Sequence, residues 1–229
     1  MGGRRKPLLV FDCDYTLWPF DCGKEVTPPF INYCDGNRII DRYYNPANPY
    51  PEVISVFEYI YDHKIPFAIA SRNPAADWIK QLLQKIKVRD TTVWDMIPVG
   101  CFHAYSSGWT KAKSRHLARI SEAMGVDYRD MIFFDDFIEN INEAVSKGVI
   151  CVHVERHGLT MEAFRLGYEY WIWRERQPQP QPQQQSLLPQ PEHQNSEMRM
   201  RRIKVEFSAT DEIIPQNTSN EVQASDPAP

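Results

Sequence analysis

Twice in these 229 residues an apolar run ends abruptly in two carboxylates, and that repetition constrains the fold more than any other feature of the chain. The first run is Leu8-Leu9-Val10-Phe11, followed by Asp12-Cys13-Asp14; the second is Met131-Ile132-Phe133-Phe134, followed by Asp135-Asp136. Short, bounded apolar runs of this kind predict strands buried on both faces of a sheet. Taken alone, either acidic pair is a strand end finishing in a solvated turn. Side chains alternate across a strand, so Asp12 and Asp14 share a side only where the chain stays extended or curls into a turn.

The rest of the chain alternates strand and helix patterns. Val53, Val56, Phe57, Ile60 and Tyr61 repeat at helical spacing behind Pro51 and Glu52. Residues 66–71 predict a buried strand that ends in Ser71-Arg72-Asn73-Pro74, and a helix over 75–86 carries Trp78, Ile79, Leu82, Leu83 and Ile86 on one face. A third strand is expected over 96–102 despite Pro98 and Gly100. Thr110 caps an expected helix that carries Leu117, Ile120 and Met124 and stops at Gly125. After the second acidic pair come a helix over 138–147 ending at Gly148, a strand over 149–154, and an amphipathic helix over 159–176. Such alternation predicts an α/β domain with a doubly wound, mostly parallel sheet and right-handed crossovers.

In the common doubly wound order the first strand is central, the second and third lie to one side, and the fourth lies to the other. The ends of the first and fourth strands are then neighbours, and Asp12 and Asp14 face Asp135 and Asp136 across the switch point where open α/β sheets bind ligands. Four carboxylates so placed require a cation, and Mg²⁺, which takes oxygen ligands and keeps several waters, suits them. A cation held there recruits phosphate. Other strand ends supply the Ser71 hydroxyl, the planar donor fork of Arg72, and a point charge from Lys111 or Lys113.

Composition removes other classes. A net charge of −4 and a pI near 5.9 provide no footprint for nucleic acid. Five cysteines without a C-x-x-C pair fit free thiols in a reducing compartment and argue against a four-thiolate zinc site. No apolar stretch approaches the ~18 residues of a membrane span, and the basic leader over 1–6 lacks a signal-type apolar region. Gly2 is followed at the sixth position by Lys6, where a myristoylation signal has Ser or Thr. The expectation is a cytoplasmic protein with no membrane or nucleic-acid partner.

Residues 18–51 form a proline- and aromatic-rich insertion with a hairpin turn signal at Cys34-Asp35-Gly36-Asn37, placed where a short substrate flap would lie. No large cap domain is evident. From Gln177 a Gln/Pro alternation opens a tail to 229 that is expected to be disordered; its partners are unknown, and Arg199 to Lys204 also reads as a nuclear-localisation cluster.

The stretch Asp12-Cys13-Asp14-Tyr15-Thr16 has the form D-x-D-x-T. With Ser71, a lysine before the penultimate strand and Asp135-Asp136, it resembles the four-motif signature of the haloacid dehalogenase (HAD) superfamily. Phe11-Asp12-Cys13-Asp14-Tyr15-Thr16-Leu17-Trp18-Pro19-Phe20, Tyr50-Pro51-Glu52-Val53, Ala70-Ser71-Arg72 and Phe133-Phe134-Asp135-Asp136 resemble, more closely, the eukaryotic magnesium-dependent phosphatase family. The similarity covers about residues 7–176.

The resemblance implies a HAD-like Rossmannoid fold and Mg²⁺-dependent hydrolysis of phosphomonoesters through an aspartyl-phosphate. It implies phosphoprotein (phosphotyrosine-type) or small sugar-phosphate substrates. It selects Lys113 over Lys111, because the family's motif lysine stands 12 positions before the glycine matching Gly125, and it nominates Asp136 as the magnesium ligand of its pair. By the same resemblance Asp12 is the nucleophile and a metal ligand. Asp14 is the general acid and base, reaching the metal through its backbone carbonyl. Ser71, Arg72 and Lys113 bind phosphate, and Asp135 and Asn140 support the site. One departure is Phe137, where the family usually has an acidic residue. Two other readings remain: a receiver-like phospho-accepting signalling domain, and an inactive HAD-like scaffold that binds partners through its tail. A receiver normally carries its phosphorylated Asp on a middle strand, whereas the third strand here ends without an acid.

Overall fold

A computed structural model describes residues 5–33, 38–106 and 112–177. The first apolar run forms β1 (Leu8–Phe11), with all four residues buried. The insertion that follows holds β2 (Ile31–Tyr33) and β3 (Arg38–Ile40), an antiparallel pair. Next come α1 (Val53–Asp62), β4 (Phe67–Ser71) and α2 (Ala76–Leu83). A short antiparallel pair, β5 (Lys87–Val88) and β6 (Thr91–Thr92), leads to β7 (Phe102–Ala104). The chain continues with α3 (Ala112–Met124), β8 (Met131–Asp135), α4 (Ile138–Val145), β9 (Ile150–His153) and α5 (Met161–Arg176).

Five strands form one sheet in the order β7-β4-β1-β8-β9, and every neighbouring pair is parallel. The order is the doubly wound one expected from the apolar runs, with β1 at the centre. Its alternating side chains feed two cores. Leu9 and Phe11 join α1, α2 and α5 on one face; Leu8 and Val10 join α3 and α4 on the other. Phe11 anchors the larger core, its ring centroid 5.4 Å from that of Phe57 and 5.0 Å from that of Phe134. With both faces covered, apolar residues can occupy successive positions of β1, β4 and β8, which is why those strands read as continuous runs.

The third strand differs from expectation. β7 begins at Phe102, where the expected strand ended, because Gly100 adopts φ +81° and Cys101 N–H closes a turn onto Pro98 O. α2 ends at Leu83, short of Ile86, and the chain turns into the β5–β6 hairpin. α3 and its Gly125 stop match expectation, Gly125 lying at φ +61°. The insertion is packed rather than loose: Trp18, Phe20, Cys22, Val26, Phe30 and Ile39 are buried in the same core as Phe11. The turn at 34–37, Thr110, Lys111 and the whole tail from 178 lie outside the described residues. No described helix is long and apolar enough to cross a membrane.

Candidate active site

The two acidic strand ends meet because β1 and β8 are neighbours in register, Phe11 opposite Phe134. Asp12 N–H extends that ladder by donating to Phe134 O at 2.9 Å. The chain then curls: Thr16 and Leu17 N–H both return to Cys13 O, and Tyr15 takes φ +57°, a left-handed conformation that bulky residues rarely adopt. Two distant segments latch this turn, Tyr50 N–H onto Leu17 O at 2.9 Å and Leu159 N–H onto Thr16 O at 2.8 Å.

Oxygen atoms of Asp12, Asp135 and Asp136 lie within 4.8 Å of one another. Asp14 is absent from this group, so three acids converge rather than the four expected. The curl after Asp12 turns the Asp14 carboxylate toward donors instead: Trp18 Nε1 (2.8 Å) and Cys22 N–H (3.0 Å) reach Oδ1, and Asn73 Nδ2 (2.6 Å) reaches Oδ2. Burial raises its pKa above the usual carboxylate value, while the hydrogen bonds from Asn73, Cys22 and Trp18 pull the other way.

Lys113, on α3, has no exposed surface. Its ammonium donates to Asp12 Oδ1 and the Ala70 carbonyl, and lies 3.0 Å from Asp135 Oδ2. Asp135 is equally buried and further held by Phe137 N–H (2.8 Å) and the Asn140 amide (2.9 and 3.0 Å). Asp136 has a different setting, partly exposed on a cavity of about 620 Å³ that Asp12, Ser71, Arg72 and Asn140 also line. Lys113 and Asp135 do not line that cavity; they lie beneath its floor.

The electrostatics fit a hard cation. One buried ammonium faces three clustered carboxylates, all the nearby ligand atoms are oxygen, and the surplus charge is visible in the acids themselves. Burial, then the charge of Asp135, pushes the Asp136 pKa up to about 6. Asp12 is raised well above the usual range, chiefly by burial; Lys113 opposes the rise and Asp135 adds to it.

On the phosphate side, Ser71 is buried at the end of β4 and its Oγ accepts from Asn73 N–H at 3.1 Å. Arg72 Nη1 donates to Asn140 Oδ1 at 3.0 Å, and the guanidinium lies 5.4 Å from the centroid of the Phe137 ring. Phe137 therefore supplies Arg72 with an aromatic face, a contact that leaves the positive charge un-neutralised. Sequence reasoning did not identify Asn73, Asp21 or the Trp18 indole as parts of the site. Asn73 directly follows Ser71-Arg72, a position that could have flagged it. Asp21 and Trp18 sit in the aperiodic insertion, where no spacing signals a role.

Comparison with known proteins adds a family. A family model described as Acid Phosphatase matches residues 5–174. Magnesium-dependent phosphatase 1 of Homo sapiens is 32% identical over 166 residues, which cover 72% of this chain and 87% of that protein. A HAD-like hydrolase superfamily protein of Schizosaccharomyces pombe is 34% identical over 133 residues, 58% of this chain and 76% of the other. Among solved structures, the N-terminal part of a Bacteroides fragilis protein, containing a phosphatase domain complexed with Mg, aligns at a TM-score of 0.46 and 17% identity. That alignment covers 74% of this chain and 40% of the other.

Proposed function

The chain belongs to the acid phosphatase family, among the magnesium-dependent phosphatases of the HAD superfamily, and from that premise we propose that it hydrolyses phosphomonoesters through an aspartyl-phosphate on Asp12. It is a phosphatase with Mg²⁺ as its cofactor. The observation that carries the mechanistic reading is the division of labour among the acids. Asp12 sits at the cavity floor with one oxygen held by Lys113, while Asp14 is turned aside onto donors of its own.

In the proposed sequence a carboxylate oxygen of Asp12 attacks phosphorus, forming one P–O bond as the bond to the leaving oxygen breaks. Asp14 gives its proton to that oxygen, the alcohol departs, and Asp14 then takes a proton from the water that opens the aspartyl-phosphate. Lys113, expected among the phosphate-binding residues, does not line the cavity and instead keeps the Asp12 carboxylate oriented. Ser71 and Arg72 donate to the equatorial phosphoryl oxygens, Arg72 being held for this by Asn140 and Phe137. Asp12, Asp136 and the Asp14 carbonyl are the groups that would hold magnesium, which when bound would supply positive charge beside the phosphoryl oxygens. Asp135 fixes Lys113 and Asn140 from beneath.

For substrate we propose phosphotyrosine-type phosphoproteins and small sugar phosphates. The supporting observation is the open cavity, bordered by Tyr15 and Phe137 and by Asp21, Gly23 and Lys24 of the insertion, which acts as a short flap. A cytoplasmic setting is supported by the free thiols of Cys13, Cys22, Cys101 and Cys151.

The test is Asp12→Asn. Turnover of p-nitrophenyl phosphate with Mg²⁺ should vanish while a single cooperative melting transition remains, at a lowered midpoint. Wild-type turnover by the folded variant would defeat the assignment, and a persistent phosphoform of the unmutated protein in place of turnover would favour the receiver-like reading.

A further inference from the structure

The Asp14 carboxylate is held on both oxygens, and its Oδ2 partner is a side chain that the family resemblance did not bring forward. Asn73 follows the phosphate-binding pair Ser71-Arg72 and is buried. Its amide orientation is over-determined. The oxygen accepts from Ala75 N–H at 2.9 Å, and the nitrogen donates to Asp14 Oδ2 at 2.6 Å and Asp21 Oδ1 at 3.0 Å. A flipped amide would turn its oxygen onto two carboxylates and its nitrogen onto a backbone donor, so the network admits one orientation.

Asp21 is itself fixed. Its Oδ1 also accepts from Gly23 N–H at 2.9 Å, and its Oδ2 pairs with Lys24 at 2.7 Å. Gly23 leaves the space that this arrangement needs, since a Cβ there would come within 2.9 Å of Asn73 Oδ1. The insertion is thereby tied through one amide to the strand end that binds phosphate, and Asn73 N–H returns to Ser71 Oγ.

We propose that Asn73 is a positioning residue for the reaction: its side-chain amide, locked by Asp21 and the Ala75 N–H, holds the Asp14 carboxyl at the angle from which it protonates the leaving oxygen. This rests on the reading of Asp14 as general acid. A carboxyl with one neighbour fewer can rotate toward the acidic cluster, where its proton no longer faces the departing alcohol, and small misplacements of a catalytic group are expensive in rate. In the step concerned, the proton passes from the Asp14 carboxyl to the oxygen whose bond to phosphorus is breaking. The demand for it grows with the basicity of that oxygen.

A purely structural role for Asn73 is the competing explanation, because its oxygen also forms the turn into α2. Asn73→Asp separates the two, keeping an acceptor for Ala75 N–H while removing the donor to Asp14 and Asp21. Asn73→Ala removes both. For each variant and for Asp14→Asn, kcat/KM is measured on 2-phenylethyl phosphate, a poor leaving group, and on p-nitrophenyl phosphate, a good one. The carboxylate that Asn73→Asp sets beside Asp14 also raises the Asp14 pKa, so selectivity is assigned to positioning only where the uncharged Asn73→Ala shows it too.

The expected result is that the alkyl-to-aryl ratio falls at least about tenfold in both Asn73 variants, with a larger fall of the same kind in Asp14→Asn. Proportionate losses on the two substrates, or no loss, in the Asn73 variants while Asp14→Asn remains selective would overturn the positioning role alone. An unselective Asp14→Asn would overturn the general-acid reading and the positioning role with it.

Discussion

Replacing Lys113 by methionine removes an ammonium while keeping an unbranched side chain in a place with no exposed surface. The two carboxylates it serves are affected unequally. Asp135 retains Phe137 N–H and the Asn140 amide, whereas Asp12 loses the ammonium that holds its Oδ1. Breaking a buried ion pair from one side costs about 3–5 kcal/mol, because a charge is left without compensation. For a domain of this size that lowers the melting temperature by roughly 10 °C, a large part of the ~5–15 kcal/mol that keeps typical domains folded. The assay is urea unfolding in EDTA of wild type, Lys113→Met, Asp12→Asn and the double variant. Since the cost lies in the stranded carboxylate, the double variant should be more stable than the sum of the single losses predicts, by more than about 1 kcal/mol. Adding Mg²⁺ should restore more stability to Lys113→Met than to the double variant, as a cation can again compensate Asp12. Additive losses within ~0.5 kcal/mol, with no differential response to magnesium, would refute the account of Lys113 as the counter-charge of Asp12.

Gly158, at φ +67°, lies so close to the Tyr50 ring that a Cβ would overlap it. Gly158→Ala should therefore cost about 1–3 kcal/mol in thermal or urea unfolding and lower turnover, since Tyr50 and Leu159 both latch the turn after Asp14; an unchanged melting curve would contradict this. The pKa of Asp136, pushed up to about 6, carries a definite sign. Because the folded-state value lies above the unfolded one, its contribution to stability is fully present below the unfolded value and lost as pH rises through about 6. Magnesium must displace the same proton. Calorimetric titration should show proton release on magnesium binding at about pH 5, and less release from Asp136→Asn than from wild type; equal release from the two would count against Asp136 as a ligand.

The sheet was legible because a parallel strand buried on both faces writes itself as an unbroken apolar run, as in Leu8–Phe11, Phe67–Ser71 and Met131–Asp135. The convergence of Asp12 with Asp135 and Asp136 followed from strand order alone. β7 was misplaced because its three residues carry less signal than the turn at Pro98 and Gly100 that precedes them. The direction of the Asp14 side chain was beyond reach of any pattern, for it depends on a left-handed Tyr15 and on an indole, a backbone N–H and an amide gathered from separate loops. Asn73 and Asp21 were missed for the same reason: hydrogen-bond networks between loops have no period.

The central position of β1 also sets the order in which the protein can be completed. β1 is synthesised first, yet its partners are Phe67–Ile69 on one side and Met131–Phe134 on the other. Lys113 joins Asp12 across 101 residues of chain. Until β8 emerges from the ribosome, the middle of the sheet has an open apolar edge, the kind of surface that invites mispairing. Pairings this distant make folding slow relative to helical proteins of the same length. The acidic cluster thus cannot close before β8 is in place, and a nascent chain that stops before Met131 lacks Asp135, Asp136 and one neighbour of the central strand.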